Sequence, residues 1–228
     1  MATAKKSAPK RAAAASTGVA TTFAAIPAAR AKQLFNWNRL LVLLHGIQAT
    51  IIWWISPTDA LVRFEGTYPV SRIVDGQFVG LDSAKELLIS FPLAYLVAAF
   101  FALSALAHFL VAYPFRKRYE SWLAREFNPM RWAEYALSST LMIVGIASLS
   151  FITDAGALIA IAVCNASMNL FGWSMEEANI GRKNVQWSHY IFGCIAGIAP
   201  WIALFTTVGL SLANWPTGIG PNGRDLEA

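Results

Sequence analysis

The chain has 228 residues, of which 56% are hydrophobic and only 14% charged, with nine Trp and fourteen Phe against seven Lys. Soluble domains carry about a quarter charged residues, so an ordinary water-solvated domain is excluded and a lipid-solvated bundle is indicated. The two cysteines, Cys164 and Cys194, lie inside apolar runs, which excludes a disulfide-stapled scaffold. The net charge of +5 gathers partly before Asp59, the first acid, a placement that fits membrane topology better than nucleic-acid binding.

Residues 1–38 are rich in Ala, Ser, Thr, Lys and Arg and contain no acid, and they read as a disordered, basic cytoplasmic tail. A leader peptide fits less well, because Thr21, Thr22 and Pro27 interrupt the apolar stretch. Five candidate spans follow over 39–55, 85–113, 129–152, 156–175 and 187–213. The third opens on Asn128-Pro129, an N-cap residue followed by Pro at the first helical position. Between the first two spans, residues 57–83 are too long for a simple turn. Asp75-Gly76, flanked by Arg72-Ile73-Val74 and Gln77-Phe78-Val79, predicts a small β-hairpin there. Residues 214–228 are a polar tail. The fold class is therefore an all-α membrane protein, a bundle of five helices with a hairpin in the first outer loop.

Basic loops alternate with acidic or neutral ones. Arg116, Lys117, Arg118, Arg125 and Arg131, then Arg182 and Lys183, fall on one side, while Asp59, Glu65, Asp75, Asp82 and Asp154 fall on the other. This alternation places the N-terminus inside, in a protein of the cell membrane.

Three titratable residues interrupt the apolar runs. His45 lies six residues past Arg39, His108 eight before Arg116, and Glu134 six past Asn128. At 1.5 Å per residue, His45 and Glu134 each sit about 9 Å into their helices. An unpartnered carboxylate at a helix centre costs on the order of 2.5–3.5 kcal/mol on insertion scales. Glu134 therefore needs a partner, a water cavity or a proton. The alternatives are a Glu reaching to the interface near Arg131, and histidines that merely bond helix to helix. On its own helix Ser138 shares the Glu134 face and Ser139 is adjacent. A haem held by His45 and His108 is a rival chemistry, while His189 has no obvious mate. Gly193 and Gly197 form a Gly-x-x-x-Gly pair that permits close helix contact.

Arg131-Trp132-Ala133-Glu134-Tyr135, followed by Ser138-Ser139, resembles the third-helix signature of microbial rhodopsins. With an inside N-terminus, Glu at the counterion position, an outer hairpin and His on the first two helices, the chain resembles the heliorhodopsins more specifically. Met168-Asn169-Leu170-Phe171-Gly172 and Gly197-Ile198-Ala199-Pro200-Trp201 also look like family motifs. The resemblance implies a retinal-binding light sensor rather than a pump or an enzyme. Glu134 would be the Schiff-base counterion, Ser138 or Ser139 its hydrogen-bonding neighbour, and Met168, Phe171, Gly172 and Trp201 would line the polyene pocket. His45 and His108 would belong to a polar inner cavity. The family further implies a homodimer through the fourth and fifth helices, which the Gly193–Gly197 face would suit, and a cytoplasmic signalling partner. Heliorhodopsins hold retinal on a Lys of a seventh helix, whereas this sequence has five spans and no Lys in the middle of any. The expectation is a truncated form of that fold, in which covalent attachment of retinal is doubtful. The alternatives are a non-photoactive membrane scaffold and a haem redox protein.

Overall fold

The computed structural model describes residues 23–214. Lys5, Lys6, Lys10 and Arg11 of the basic tail and most of the polar C-terminal tail lie outside the described residues. Among the described residues five helices are long and apolar enough to cross a membrane: α1 (Ala28–Ile55), α2 (Leu93–Ala112), α4 (Pro129–Leu149), α5 (Ala155–Asn179) and α6 (Ser188–Asn214). Each packs chiefly on its neighbour in the chain, in the order α1, α2, α4, α5, α6, so that α1 and α6 form the two edges of the row.

Three boundaries differ from the sequence expectation. First, α1 begins at Ala28, so residues 28–38 are helix and not part of a disordered tail. Pro27 precedes the first turn, and Ala28-Ala29-Arg30-Ala31-Lys32-Gln33-Leu34 is a run of strong helix formers with Arg30 bonded to Gln33 at 2.9 Å. Second, residues 85–92 are strand and not the start of the second span. Third, a short helix, α3 (Arg116–Leu123), lies between α2 and α4 where only a basic loop was expected.

The hairpin is much larger than its turn signal suggested. Strands β1 (Leu61–Val74) and β2 (Gln77–Pro92) pair antiparallel along their whole length, from Val74↔Gln77 at the tip to Leu61↔Pro92 at the base. The two-residue turn is Asp75-Gly76, with φ of 51° and 78°, as the Asp-Gly signal requires. The ladder runs on through Lys85 and Glu86 until Pro92, which precedes α2.

Most of the ribbon is exposed and its base is anchored. Val62 is fully buried, and Phe64 stacks on Phe91 with ring centroids 6.2 Å apart. Glu65 N–H donates to Thr153 O at 2.8 Å, Thr153 Oγ1 donates to Glu65 Oε2 at 2.7 Å, and Thr67 Oγ1 donates to Asp154 Oδ2 at 2.9 Å. Asp154 also caps α5, its Oδ1 accepting from Ala157 N–H at 2.8 Å. These donors, the Ala157 N–H first and Thr67 next, hold the Asp154 carboxyl below the usual carboxylate range. A lowered folded-state value contributes stability above the unfolded value, lost as pH falls below about 4 through the folded one. Protection of the Glu65 amide, taken relative to its intrinsic exchange rate at each pH, is therefore expected to fall in acid, and Asp154→Asn to remove that acid step. Exchange with the same pH profile in Asp154→Asn would contradict the latch.

The core gathers at this same end. Val62, Leu96, Ile143, Ala147, Leu158, Ile161 and Leu204 bring β1, α2, α4, α5 and α6 together. His45, His108 and Glu134 lie toward the opposite, α3 end.

Candidate functional site

The α3 end of the bundle contains a cavity of about 530 Å3 bounded by α1, α2, α3 and α4. Its walls include Asn38, His45, Ser104, His108, Glu134 and Ser138. The structure thus brings His45, His108 and Glu134 to one cavity, and Ser138 and Ser139 line it too.

Glu134 is half-buried and accepts from Ser104 Oγ at 2.7 Å. Ser104 is buried on α2, one turn before His108. The hydroxyl partner of Glu134 is therefore on the neighbouring helix. Ser138 is 2% exposed on the cavity wall. Ser139 turns away from Glu134: its Oγ donates to Tyr135 O at 2.6 Å and accepts from Asn165 and Asn169 of α5 at 2.8 and 3.1 Å. Ser139 therefore works as a polar cross-link between α4 and α5.

His45 and His108 stack, with centroids 5.7 Å apart and planes 14° from parallel. His108 Nδ1 pairs with Asn38 Oδ1 at 2.7 Å, and Asn38 Nδ2 donates to Leu34 O at 2.8 Å. This second bond orients the Asn38 amide so that its oxygen faces His108. His45 Nδ1 pairs with Gln48 Oε1 at 2.9 Å. The two imidazoles thus belong to one hydrogen-bonded network with Asn38 and Gln48 through their Nδ1 atoms. His189 has a mate after all, Ser174 Oγ at 3.1 Å.

Tyr119 of α3 lines the mouth of the cavity, and burial pushes its phenol up, an effect moderated by the Asn38 amide and Arg131. Arg131 pairs with Glu176 of α5, and Glu176 also accepts from Asn128 N–H at 2.9 Å. Asn128 caps α4 by accepting from Arg131 N–H at 3.2 Å, with Pro129 at the first position, as the sequence motif predicts. The guanidinium lies over the Trp132 ring, 4.7 Å from its centroid. Glu134 thus keeps to the cavity rather than to Arg131.

The four α5 and α6 residues assigned to a polyene pocket stand elsewhere. Gly172 is the notch that receives the Trp132 indole, and Met168 and Phe171 pack against Gly197 and Gly193. Trp201 is 44% exposed and stacks on Phe205 at 5.9 Å. None of the four lines the Glu134 cavity. The Gly193–Gly197 face is taken up by α5 of the same chain, so it is not free for a second copy.

The heliorhodopsin family model matches residues 34–217, from the second turn of α1 to beyond the end of α6. The chain belongs to the heliorhodopsin family. No curated protein matches it. Together with five apolar helices, this makes it an integral membrane protein with a rhodopsin-like fold.

The residues of this heliorhodopsin fit retinal only in part. Glu134 offers a half-buried carboxylate beside a cavity, the counter-charge that a cationic chromophore needs. An amine at that depth is missing among the described residues: Lys32 opens α1, Lys85 pairs with Glu65 in the hairpin, Lys117 is on α3 and Lys183 follows α5. A covalently held retinal does not fit this set. Asn38 and Ser104 were missed by the sequence reading, although the four-residue step from Ser104 to His108 places both on one helix face.

Proposed function

We propose that this heliorhodopsin is a light-sensing receptor in which Glu134 supplies the counter-charge of a cationic retinal chromophore. The observation that carries the reading is Glu134 itself, a carboxylate within a span, held by Ser104 and facing a polar cavity. His45 and His108, stacked across that cavity with Asn38 behind them, are the groups suited to accept a proton on its α3 side. The N-terminus is inside, because Arg116–Arg118, Arg125, Arg182 and Lys183 share its side, and the membrane is taken to be the cell membrane. A cytoplasmic signalling partner would meet the protein on that basic side. A homodimer through α5 and α6 would use the lipid-facing Ile195 and Ile198 rather than the glycines. The exposed thiol of Cys194 beside them should then cross-link two chains on oxidation, and a chain that stays monomeric counts against that dimer.

The test of the main reading separates counter-charge from attachment. The full chain in nanodiscs receives either all-trans retinal or a preformed, protonated n-butylamine imine of it. Retinal alone is expected to give no hydroxylamine-sensitive visible band, since no lysine among the described residues sits at the depth of Glu134. The preformed imine is expected to bind and to absorb differently from the same imine in empty nanodiscs. Identical spectra in protein and empty discs would overturn the reading.

A further inference from the structure

A second cleft, of about 490 Å3, lies between the segment leading into α1 and the short helix α3. Phe23, Ala25 and Ile26 form its apolar wall, and Lys117, Glu120, Ser121, Ala124 and Arg125 form the other. Lys117 and Ser121, four residues apart, share one side of α3, and Arg125, in the turn just after it, lines the same cleft. The Glu120 carboxylate is engaged by Arg116 Nε at 2.9 Å, and the Ser121 hydroxyl donates to Arg118 O at 2.8 Å. Lys117 and Arg125, both exposed, make no ion pair among the described residues.

The cleft lies where three helices leave the bilayer. Phe35 of α1 meets Tyr113 just beyond α2, with ring centroids 5.9 Å apart, and Arg116 lies over the Phe35 ring at 4.4 Å. Segment 23–27, the start of α1 and α3 therefore lie together at the basic end of the bundle, beyond the end of α2. Arg118 over Trp122, at 5.7 Å, adds an aromatic anchor of interfacial type. Two free cations facing an apolar wall at a membrane surface match an amphiphilic anion, with its phosphate toward Lys117 and Arg125 and its chains along Phe23 and Ile26.

We propose that this cleft binds the headgroup of an anionic phospholipid. The occupant is a membrane lipid and not free phosphate, because the apolar wall and the position at the helix ends serve only a molecule that is itself anchored in the bilayer. Loss of both cations is expected to weaken binding by roughly tenfold or more.

The full chain, purified in a neutral detergent, is titrated with dioctanoyl phosphatidylglycerol, dioctanoyl phosphatidylcholine and inorganic phosphate. Wild type is expected to prefer phosphatidylglycerol. The Lys117→Gln/Arg125→Gln chain should lose that preference, and Arg182→Gln/Lys183→Gln, which removes the same charge from the α5–α6 loop, should keep it. Near-ultraviolet circular dichroism checks that each variant is folded. Equal binding of both lipids by wild type would overturn the proposal. Equal loss in both variants would overturn it as well, by assigning the effect to diffuse charge. Displacement of the lipid by inorganic phosphate at similar concentration would replace the lipid with a free anion.

Discussion

Gly172→Leu is expected to prevent stable assembly of α4 on α5. Even a single added Cβ at Gly172 would lie 2.3, 2.4 and 2.7 Å from Cζ3, Cη2 and Cε3 of Trp132. An indole is rigid and cannot bend its ring out of the way as a methionine tail can. It would have to swing as a body, away from Tyr135, whose ring it meets edge-on at 6.4 Å, and from the Arg131 guanidinium above it. Arg131 in turn holds Glu176, so the disturbance would reach the α4 cap at Asn128. Overpacking of this kind costs about 1–3 kcal/mol for the smallest insertions and more for larger ones. Gly172→Ala should therefore lower the thermal midpoint by several degrees, and Gly172→Leu should leave little folded protein. Trp132→Leu combined with Gly172→Ala should recover part of the loss. A Gly172→Ala chain as stable as wild type would contradict this packing. Gly197→Ala should be milder, because Met168 Sδ, 2.3 Å from its added Cβ, ends a flexible chain.

Leu158→Ala should be the most damaging truncation at the opposite end. Leu158 is fully buried in the first turn of α5, in the cluster that includes Val62 of the hairpin, Ala147 of α4 and Leu204 of α6. In a membrane protein the loss is mostly of packing, since lipid is as apolar as the core. Truncations of fully buried leucines nonetheless cost about 2–5 kcal/mol through the cavity they leave. The variant should also loosen the ribbon, because Val62 shares the cluster. Proteolysis of the hairpin is expected to accelerate along with global unfolding. Wild-type proteolysis together with a wild-type midpoint would show that Leu158 is not the joint between ribbon and bundle.

The sequence made the spans legible because solvation by lipid imposes long apolar runs bounded by charge. Local signals held where their chemistry is local: Asn128-Pro129 starts α4, and Asp75-Gly76 turns the hairpin. What escaped was set between elements. The ribbon reaches Pro92 because Lys85–Phe91 pair with Val62–Thr67, and pairing partners 18 to 29 residues apart leave no periodic mark in an apolar stretch. The start of α1 was hidden because Ala, Lys and Arg suit a helix as readily as a disordered tail. The gathering of His45, His108 and Glu134 could be read from helix depth alone, but depth gives no azimuth. Ser139, expected beside Glu134, is therefore taken by α5, and Ser104 of α2, not foreseen, supplies the hydroxyl to Glu134. For the same reason Met168, Phe171 and Gly172, plausible by position, lie against Gly197, Gly193 and Trp132, while Trp201 is partly exposed beside Phe205.

The most direct measurement is the visible absorption maximum of the preformed n-butylamine retinal imine bound to wild type and to Glu134→Gln. A nearby carboxylate holds positive charge at the imine nitrogen, so neutralising it lets that charge spread into the polyene and lowers the excitation energy. The account predicts a band at longer wavelength in Glu134→Gln than in wild type. Superimposable bands from two chains that both bind the imine would contradict it, and Glu134 would then be a structural partner of Ser104.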